Sequence, residues 1–243
     1  MDMDEKVFDR IEKKYLIDTA TKRKILTVVK GRMEKDEYFK SEIFNIYFDT
    51  ENFDLIIKSI ENPDFKEKFR ARGYGGYNKV FLEIKTKMKS TGYRIGHKRR
   101  VLLTHKDFLK FLNGENTATE LVSKNSNDQT ELQIAKEIDY LLSRLNLKPQ
   151  ILVYYNRESY IGENNLRITF DEKLKYRDKD LKIMKKASDK LYFKDEKNII
   201  MEVKMQGVMP LWLVDTLSKN KVYPVRFSKI GKIYELTRKE KNV

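Results

Sequence analysis

The chain has 243 residues, 40% of them apolar and 12% aromatic, which is enough to build a buried core and excludes a disordered chain. It contains no cysteine, so disulfides, thiolate catalysis and thiolate metal sites are excluded, and a reducing, cytoplasmic setting is expected. The net charge of +14 favours anionic partners, whether polyphosphate, nucleic acid or acidic lipid.

No apolar run approaches the ~20 residues needed to span a bilayer, and the first residues, Met1 to Lys6, lack the apolar core of a signal peptide. One domain over residues 1–243 is expected.

In chain order, Val7 to Leu16 reads as a strand with Arg10, Glu12 and Lys14 on one face and Ile11, Lys13 and Tyr15 on the other. Asp18 to Met33 reads as a helix, with cap candidates at its start and Ile25, Leu26, Val28 and Val29 at helical spacing. Glu37 to Asp49 is a second strand, and Thr50 is placed to cap a short helix over Phe53 to Ile60, stopped by Asn62-Pro63-Asp64.

Residues 65–87 form the most informative stretch, two strands around a glycine-rich turn. Lys68, Arg70 and Arg72 alternate with Phe69 and Ala71, and Glu83, Lys85 and Lys87 alternate with Leu82, Ile84 and Thr86. Ser90-Thr91-Gly92 turns the chain into a third strand, Tyr93 to Leu103, in which Lys98 and Arg100 share a face. Such alternation in one strand is what any half-exposed sheet gives, with its charges in water. Its recurrence in at least five strands sets this chain apart.

Thr104 then caps a helix through Phe108 and Leu112, closed by Gly114. Residues 113–130 are polar and aperiodic and are expected to be a mobile loop or lid. Thr130 to Leu147 is an amphipathic helix, followed by strands at Ile151 to Ile161, Asn165 to Asp171 and near Lys190 to Phe193. In Ile199 to Gln206, Glu202 and Lys204 face away from Met201, Val203 and Met205. Pro210 opens a last helix, Leu211 to Leu217, and a tail from Tyr223 to Leu236 carries Arg226, Ser228 and Lys229.

These elements predict an α+β fold: a closed antiparallel β-barrel of about eight strands with helices packed outside. Charged faces turned inward would make a basic tunnel. Burying so many cations without partners is prohibitive, and a water-filled tunnel holding a polyanion removes the difficulty. The carboxylates Glu12, Glu83 and Glu202 would supply hard oxygen ligands for Mg²⁺ or Mn²⁺, or ion-pair partners for the basic groups.

The ordered set Arg10-x-Glu12-x-Lys14-Tyr15, Tyr47-Phe48-Asp49-Thr50, Lys68-x-Arg70-x-Arg72, Leu82-Glu83-Ile84-Lys85, Lys98-Arg99-Arg100, Tyr155-x-Arg157, Arg167-Ile168-Thr169-Phe170-Asp171, Glu202-Val203-Lys204 and Phe227-Ser228-Lys229 resembles the catalytic domain of the vacuolar transporter chaperone family. That family belongs to the CYTH-like triphosphate tunnel metalloenzyme superfamily. The resemblance implies an eight-stranded tunnel that makes inorganic polyphosphate from ATP with Mn²⁺ or Mg²⁺. It assigns Lys14, Arg70, Arg72, Lys85, Lys98, Arg167 and Lys229 to catalysis on phosphates. Arg10, Lys68, Arg100, Arg157, Arg177, Lys204, Arg226 and Ser228 become further phosphate-binding positions, and Glu202, Glu12 and Glu83 the metal ligands.

The hydrolytic branch of that superfamily begins Glu-x-Glu-x-Lys, whereas Arg10 stands here at the first Glu, as in the polymerase branch. A phosphate acceptor is already ionised at neutral pH and needs no general base, which suits a chain with only two histidines, His97 and His105, both read as structural. Tyr155, Tyr160 and Trp212 are read as packing. Two rival readings stand beside the polymerase: a metal-dependent triphosphatase of the same superfamily, and a nonenzymatic module binding polyphosphate or, as second choice, nucleic acid. Family members in eukaryotes work in a membrane complex, so a membrane partner protein is a candidate recipient of product.

Overall fold

The computed structural model describes residues 10–62, 64–75, 78–90, 93–181, 190–192 and 199–241. Val7 to Asp9, Pro63, Thr91, Gly92 and Phe193, all used in the sequence reading, lie outside them, as does the Arg10 side chain.

The strands are β1 (Arg10–Ile17), β2 (Glu34–Asp49), β3 (Phe65–Tyr74), β4 (Lys79–Ser90), β5 (Tyr93–Thr104), β6 (Lys148–Ile161), β7 (Arg167–Arg177), β8 (Lys190–Leu191) and β9 (Ile199–Gln206). The helices are α1 (Thr19–Val29), α2 (Asp54–Glu61), α3 (His105–Leu112), α4 (Ala118–Ser123), α5 (Gln129–Leu145), α6 (Leu211–Lys219) and α7 (Lys229–Lys241). Eight strands pair in the order β1-β9-β7-β6-β2-β3-β4-β5, and β8 pairs with β7. The α+β antiparallel architecture is therefore as expected. Closure is not observed: the order starts at β1 and ends at β5, and no pairing between those two is present among the described residues.

Contacts within the chain fall into two compact units, each assembled from three separated segments. The first draws on Met1–Glu42, Tyr155–Leu174 and Leu191–Phe227, the second on Ile43–Tyr154, Lys175–Lys190 and Ser228–Val243.

In the first unit, β1, β9 and β7 turn Tyr15, Ile17, Ile168, Phe170, Met201 and Val203 toward Ile25 and Val29 of α1 and Leu213 and Leu217 of α6. The alternation read from the sequence is the cause, since only one face of each strand is apolar enough to sit under a helix. Asp18 caps α1 by accepting from the Thr21 amide. Lys22 of α1 is buried between Glu158 and Glu172, at 2.5 and 2.6 Å, beneath the Phe170 ring.

In the second unit, Phe69, Ala71, Leu82, Ile84, Val101 and Leu103 pack against Phe108, Phe111, Ala135, Ile138 and Leu141 of α3 and α5. Gly73 is required there, because a Cβ would stand 2.0 Å from the Phe44 ring.

Three local expectations are corrected. The stretch 113–130 is not a loop throughout, because it contains α4, whose Ala118, Leu121 and Val122 are buried. Its start is a capping box in which Thr117 and Glu120 each accept the other's backbone N–H. Helix α2 is held chiefly by Asp49 rather than by Thr50 alone. The Asp49 carboxylate accepts from the amides of Thr50, Leu55 and Ile56, while Thr50 Oγ1 accepts only from Asp54. Lastly, the segment read as a tail is helical from Lys229 onward, with Ser228 Oγ accepting from the Gly231 amide.

Candidate functional site

The charged faces of the strands make two ladders, one in each unit. In the first unit the register sets Lys14 opposite Glu202 and Glu202 opposite Thr169; one step along, Glu12 faces Lys204 and Lys204 faces Arg167. Lys14 Nζ lies 3.3 Å from Glu12 and 3.9 Å from Glu202 and donates to the Phe227 carbonyl at 3.0 Å. The Val225 amide donates to the Lys14 carbonyl at 2.7 Å, so the segment carrying exposed Arg226 is held along β1 from both sides of Lys14. Lys204 reaches Glu12 at 4.0 Å.

Arg157 grips buried Asp171 with two parallel hydrogen bonds of 2.6 and 2.7 Å and reaches Glu202 at 3.5 Å. Burial would lower its pKa, but Asp171 and Glu202 outweigh burial and raise it, so the guanidinium stays charged. Arg167 pairs with Asp36 and donates to Ser159 Oγ at 3.1 Å. Four cations, Lys14, Arg157, Arg167 and Lys204, thus face four carboxylates, Glu12, Asp36, Asp171 and Glu202.

The second unit is unlike this. Lys68 of β3 lies opposite Lys85 of β4, and Lys85 opposite Lys98 of β5, so three lysines stand abreast on adjacent strands. Beside them run Arg70, Glu83 and Arg100 in one row. Glu83 is the single carboxylate on this face of the three paired strands among the described residues. It takes Arg70 Nε and Nη2 at 2.8 and 2.7 Å, Lys98 Nζ at 2.7 Å and Arg72 at 3.9 Å. Burial pushes its pKa up, yet the three cations overcome that and hold it at about 2.

Neighbouring side chains fix the cations. Asn45, fully buried, accepts from Arg72 Nε at 2.8 Å, and the Tyr47 hydroxyl accepts from Arg70 at 3.3 Å. Burial raises the pKa of that phenol, but Arg70, Lys68 and Arg72 prevail and lower it. Arg100 lies over the Phe81 ring at 4.3 Å, and Lys68 donates to Ser228 Oγ at 3.0 Å. Lys85 is half-buried, Arg177 is buried at the end of β7, and Lys229 is the first residue of α7.

Cross-strand register therefore gathers Lys14, Glu12, Glu202, Lys204 and Arg167 in the first unit and Lys68, Arg70, Arg72, Lys85, Lys98, Arg100 and Glu83 in the second. Sequence reading named no role for Asp36, Asn45, Glu158 or Glu172. The acidic partners Asp36 and Glu158 lie in β2 and β6, far along the chain from the arginine and lysine they meet, and no spacing signal marks them. His97 lies on an exposed stretch of β5 and His105 opens α3. Tyr155 and Tyr160 are buried, and Trp212 packs on the first unit's core under Arg32.

No group of three or more His, Cys, Asp or Glu side chains able to hold a metal ion is present among the described residues. Glu12 and Glu202 nonetheless converge on one ammonium, and the Thr169 hydroxyl, buried opposite Glu202, has no hydrogen-bond partner among the described residues. Two carboxylates and a hydroxyl fit a hard divalent ion whose remaining ligands are phosphate and water. Glu83 has Lys98 at one carboxylate oxygen and Arg70 at the other.

This is an α+β protein built on an antiparallel sheet whose strands carry ranks of cations on one face. The family model for the VTC domain matches residues 9–237, and the chain belongs to the VTC domain family. Subunit 4 of the vacuolar transporter chaperone complex of Schizosaccharomyces pombe is 28% identical over 144 residues, 54% of this chain but 20% of that protein's length. A solved structure from Hippeastrum, of a protein assigned as an adenylyl cyclase and reported to show a dominant triphosphatase activity, superposes with a TM-score of 0.54 at 15% identity, covering 91% of this chain and 93% of that one. That likeness concerns the fold alone. No helix among the described residues is long and apolar enough to cross a membrane.

Proposed function

We propose that this chain is a metal-dependent phosphotransferase that moves the γ-phosphate of ATP onto a growing inorganic polyphosphate chain, with its sheet closed into the basic tunnel that the family resemblance implies. The observation that carries the reading is the rank of Lys68, Lys85 and Lys98 in register. Like charges directly opposite on neighbouring strands, about 4.8 Å apart, destabilise a sheet unless an anion lies across them. A linear polyphosphate supplies a charge at each phosphate and can engage the whole rank.

In this reading the acceptor's terminal phosphate oxygen forms a bond to Pγ as the bond between Pγ and the bridging oxygen of ADP breaks, and ADP carries away the electron pair. Lys68, Lys85, Lys98, Arg70, Arg72 and Arg100 hold and neutralise the phosphates as charge spreads over the transferring group. Asn45 and Tyr47 keep two of those guanidiniums aimed. Within the first unit Lys14, Arg167, Lys204 and Arg157 are its own candidate phosphate contacts, and Arg10, Arg177, Arg226, Ser228 and Lys229 are further candidates. Glu202 and Glu12 would hold Mn²⁺ or Mg²⁺, which when bound offsets phosphate charge as a Lewis acid. Glu83 positions Arg70 and Lys98.

The shared fold with a protein reported to have triphosphatase activity supports the second reading, hydrolysis of triphosphate. Purified protein incubated with ATP and Mn²⁺ or Mg²⁺, with and without a short polyphosphate primer, separates the two. Long chains in step with ADP, absent in Lys14→Ala and Glu202→Ala, are expected. Free phosphate without chains would move the assignment to the hydrolase, and no turnover would leave a polyanion-binding module.

A further inference from the structure

The first unit carries, away from its charged ladder, a surface of a different kind. At the start of α6 stand the two most exposed large apolar residues of the described chain, Val208 at 89% and Leu211 at 80%, with Val214 one turn further along the helix also open. Pro210 is the N-cap of α6, between the two. A soluble surface gains nothing from apolar residues held this far into water, and a concentration of them marks a contact surface.

The charge around these residues is one-sided. Helix α1 touches α6, and the Arg32 guanidinium beyond its end covers the Trp212 ring at 5.7 Å. From residue 19 to residue 33 the chain has no Asp or Glu, while Arg23, Lys24, Lys30 and Arg32 are exposed. Lys219 at the end of α6 and Lys221 just beyond it add two more exposed cations, against the single acid Asp215 within residues 207–223.

We infer that this face lies on an anionic lipid bilayer, with Val208 and Leu211 entering the interface and the cations of α1 meeting lipid phosphates and carboxylates. Apolar tips beside a basic helix are the two-part signature of a segment that rests on a membrane without crossing it. Each basic residue near such a surface strengthens binding by roughly 1 kcal/mol, an attraction that fades beyond about 10 Å. Charge complementarity selects lipid over a protein partner here: two isolated tips are too small for a stable protein interface, which needs at least about 1,000 Å².

The single tryptophan makes the test direct, because Trp212 adjoins Leu211 and no other indole contributes. Vesicles of phosphatidylcholine with about 30% phosphatidylserine, a surface negative enough to draw basic segments, are expected to shift Trp212 emission to shorter wavelength and to sediment the protein. Pure phosphatidylcholine vesicles should do neither. Val208→Ser with Leu211→Ser, and separately Lys24→Glu with Lys30→Glu, should each weaken sedimentation about tenfold or more while thermal unfolding stays unchanged. Lys106→Glu with Lys136→Glu, the same charge change on exposed residues of the second unit, should leave it intact. Loss in that control equal to the loss in the α1 variant, binding indifferent to the apolar pair, or no binding to the anionic vesicles would each overturn the inference.

Discussion

The two ladders are built from the same parts and differ in bookkeeping of charge. In the first unit Lys14 faces Glu202 and Lys204 faces Glu12, and where Lys204 also faces Arg167, Arg167 is paired with Asp36. In the second, Lys68 faces Lys85 and Lys85 faces Lys98, and Glu83, the one carboxylate on that face among the described residues, is shared by Arg70 and Lys98. The first ladder mixes cations with carboxylates, whereas the second carries one carboxylate among its cations on the paired face of the described residues. The contrast separates a ladder whose cations sit among their own carboxylates from one in which cations outnumber the carboxylate beside them.

The largest stability effect is expected from Arg157→Ala. It leaves Asp171 buried without the two hydrogen bonds from Arg157, which costs about 4 kcal/mol and should show in denaturant unfolding. A change under about 1 kcal/mol would mean that the first ladder is not self-sufficient.

Glu83→Gln comes next, at about 3 kcal/mol, the equivalent of its depressed pKa. Because that pKa is lowered on folding, the contribution is complete above the ordinary value of 4.5 and is lost as pH falls toward about 2. Acid unfolding of the wild type should steepen across that window, and the variant should lack the added slope. A variant with the wild-type acid profile would remove Glu83 from its place as shared counter-ion.

Lys85→Met should act in opposite directions on two observables. Relief of like-charge contact raises stability by about 0.5 kcal/mol, while affinity for tripolyphosphate, followed by calorimetry, falls about tenfold or more. Lower stability together with unchanged affinity would break the distinction between the two ladders. The smallest effect is salt: raising NaCl from about 0.05 to 0.5 M should stabilise the ligand-free wild type by a few tenths of a kcal/mol through screening, and Lys85→Met by less. Equal gains in both would show that the lysine rank is not under tension.

The faces of the strands were legible because alternation with period two needs no partner to be read: Phe69 and Ala71 inside, Lys68, Arg70 and Arg72 on the other face. The bounds Ile199–Gln206 of β9 agree with the expectation for the same reason. Helix α4 carried its own signal, Thr117 followed three residues later by Glu120, but lay in a stretch too polar to show periodicity, and its three buried residues gain meaning only against α5 and β5. The Asp49 cap was missed because its acceptors serve amides six and seven residues onward.

The sequence by itself determined the composition of each strand face, the helices that cover the apolar faces, the excess of cations and the family, since all of these follow from local order along the chain. Tertiary structure alone decided which carboxylate meets which cation. Arg157 with Asp171, Arg167 with Asp36 and Lys14 with Glu202 are separated by 14, 131 and 188 residues, and a shift of one residue in register would exchange every pair. That register, set by apolar packing on the opposite faces, makes one ladder neutral and leaves the other positive.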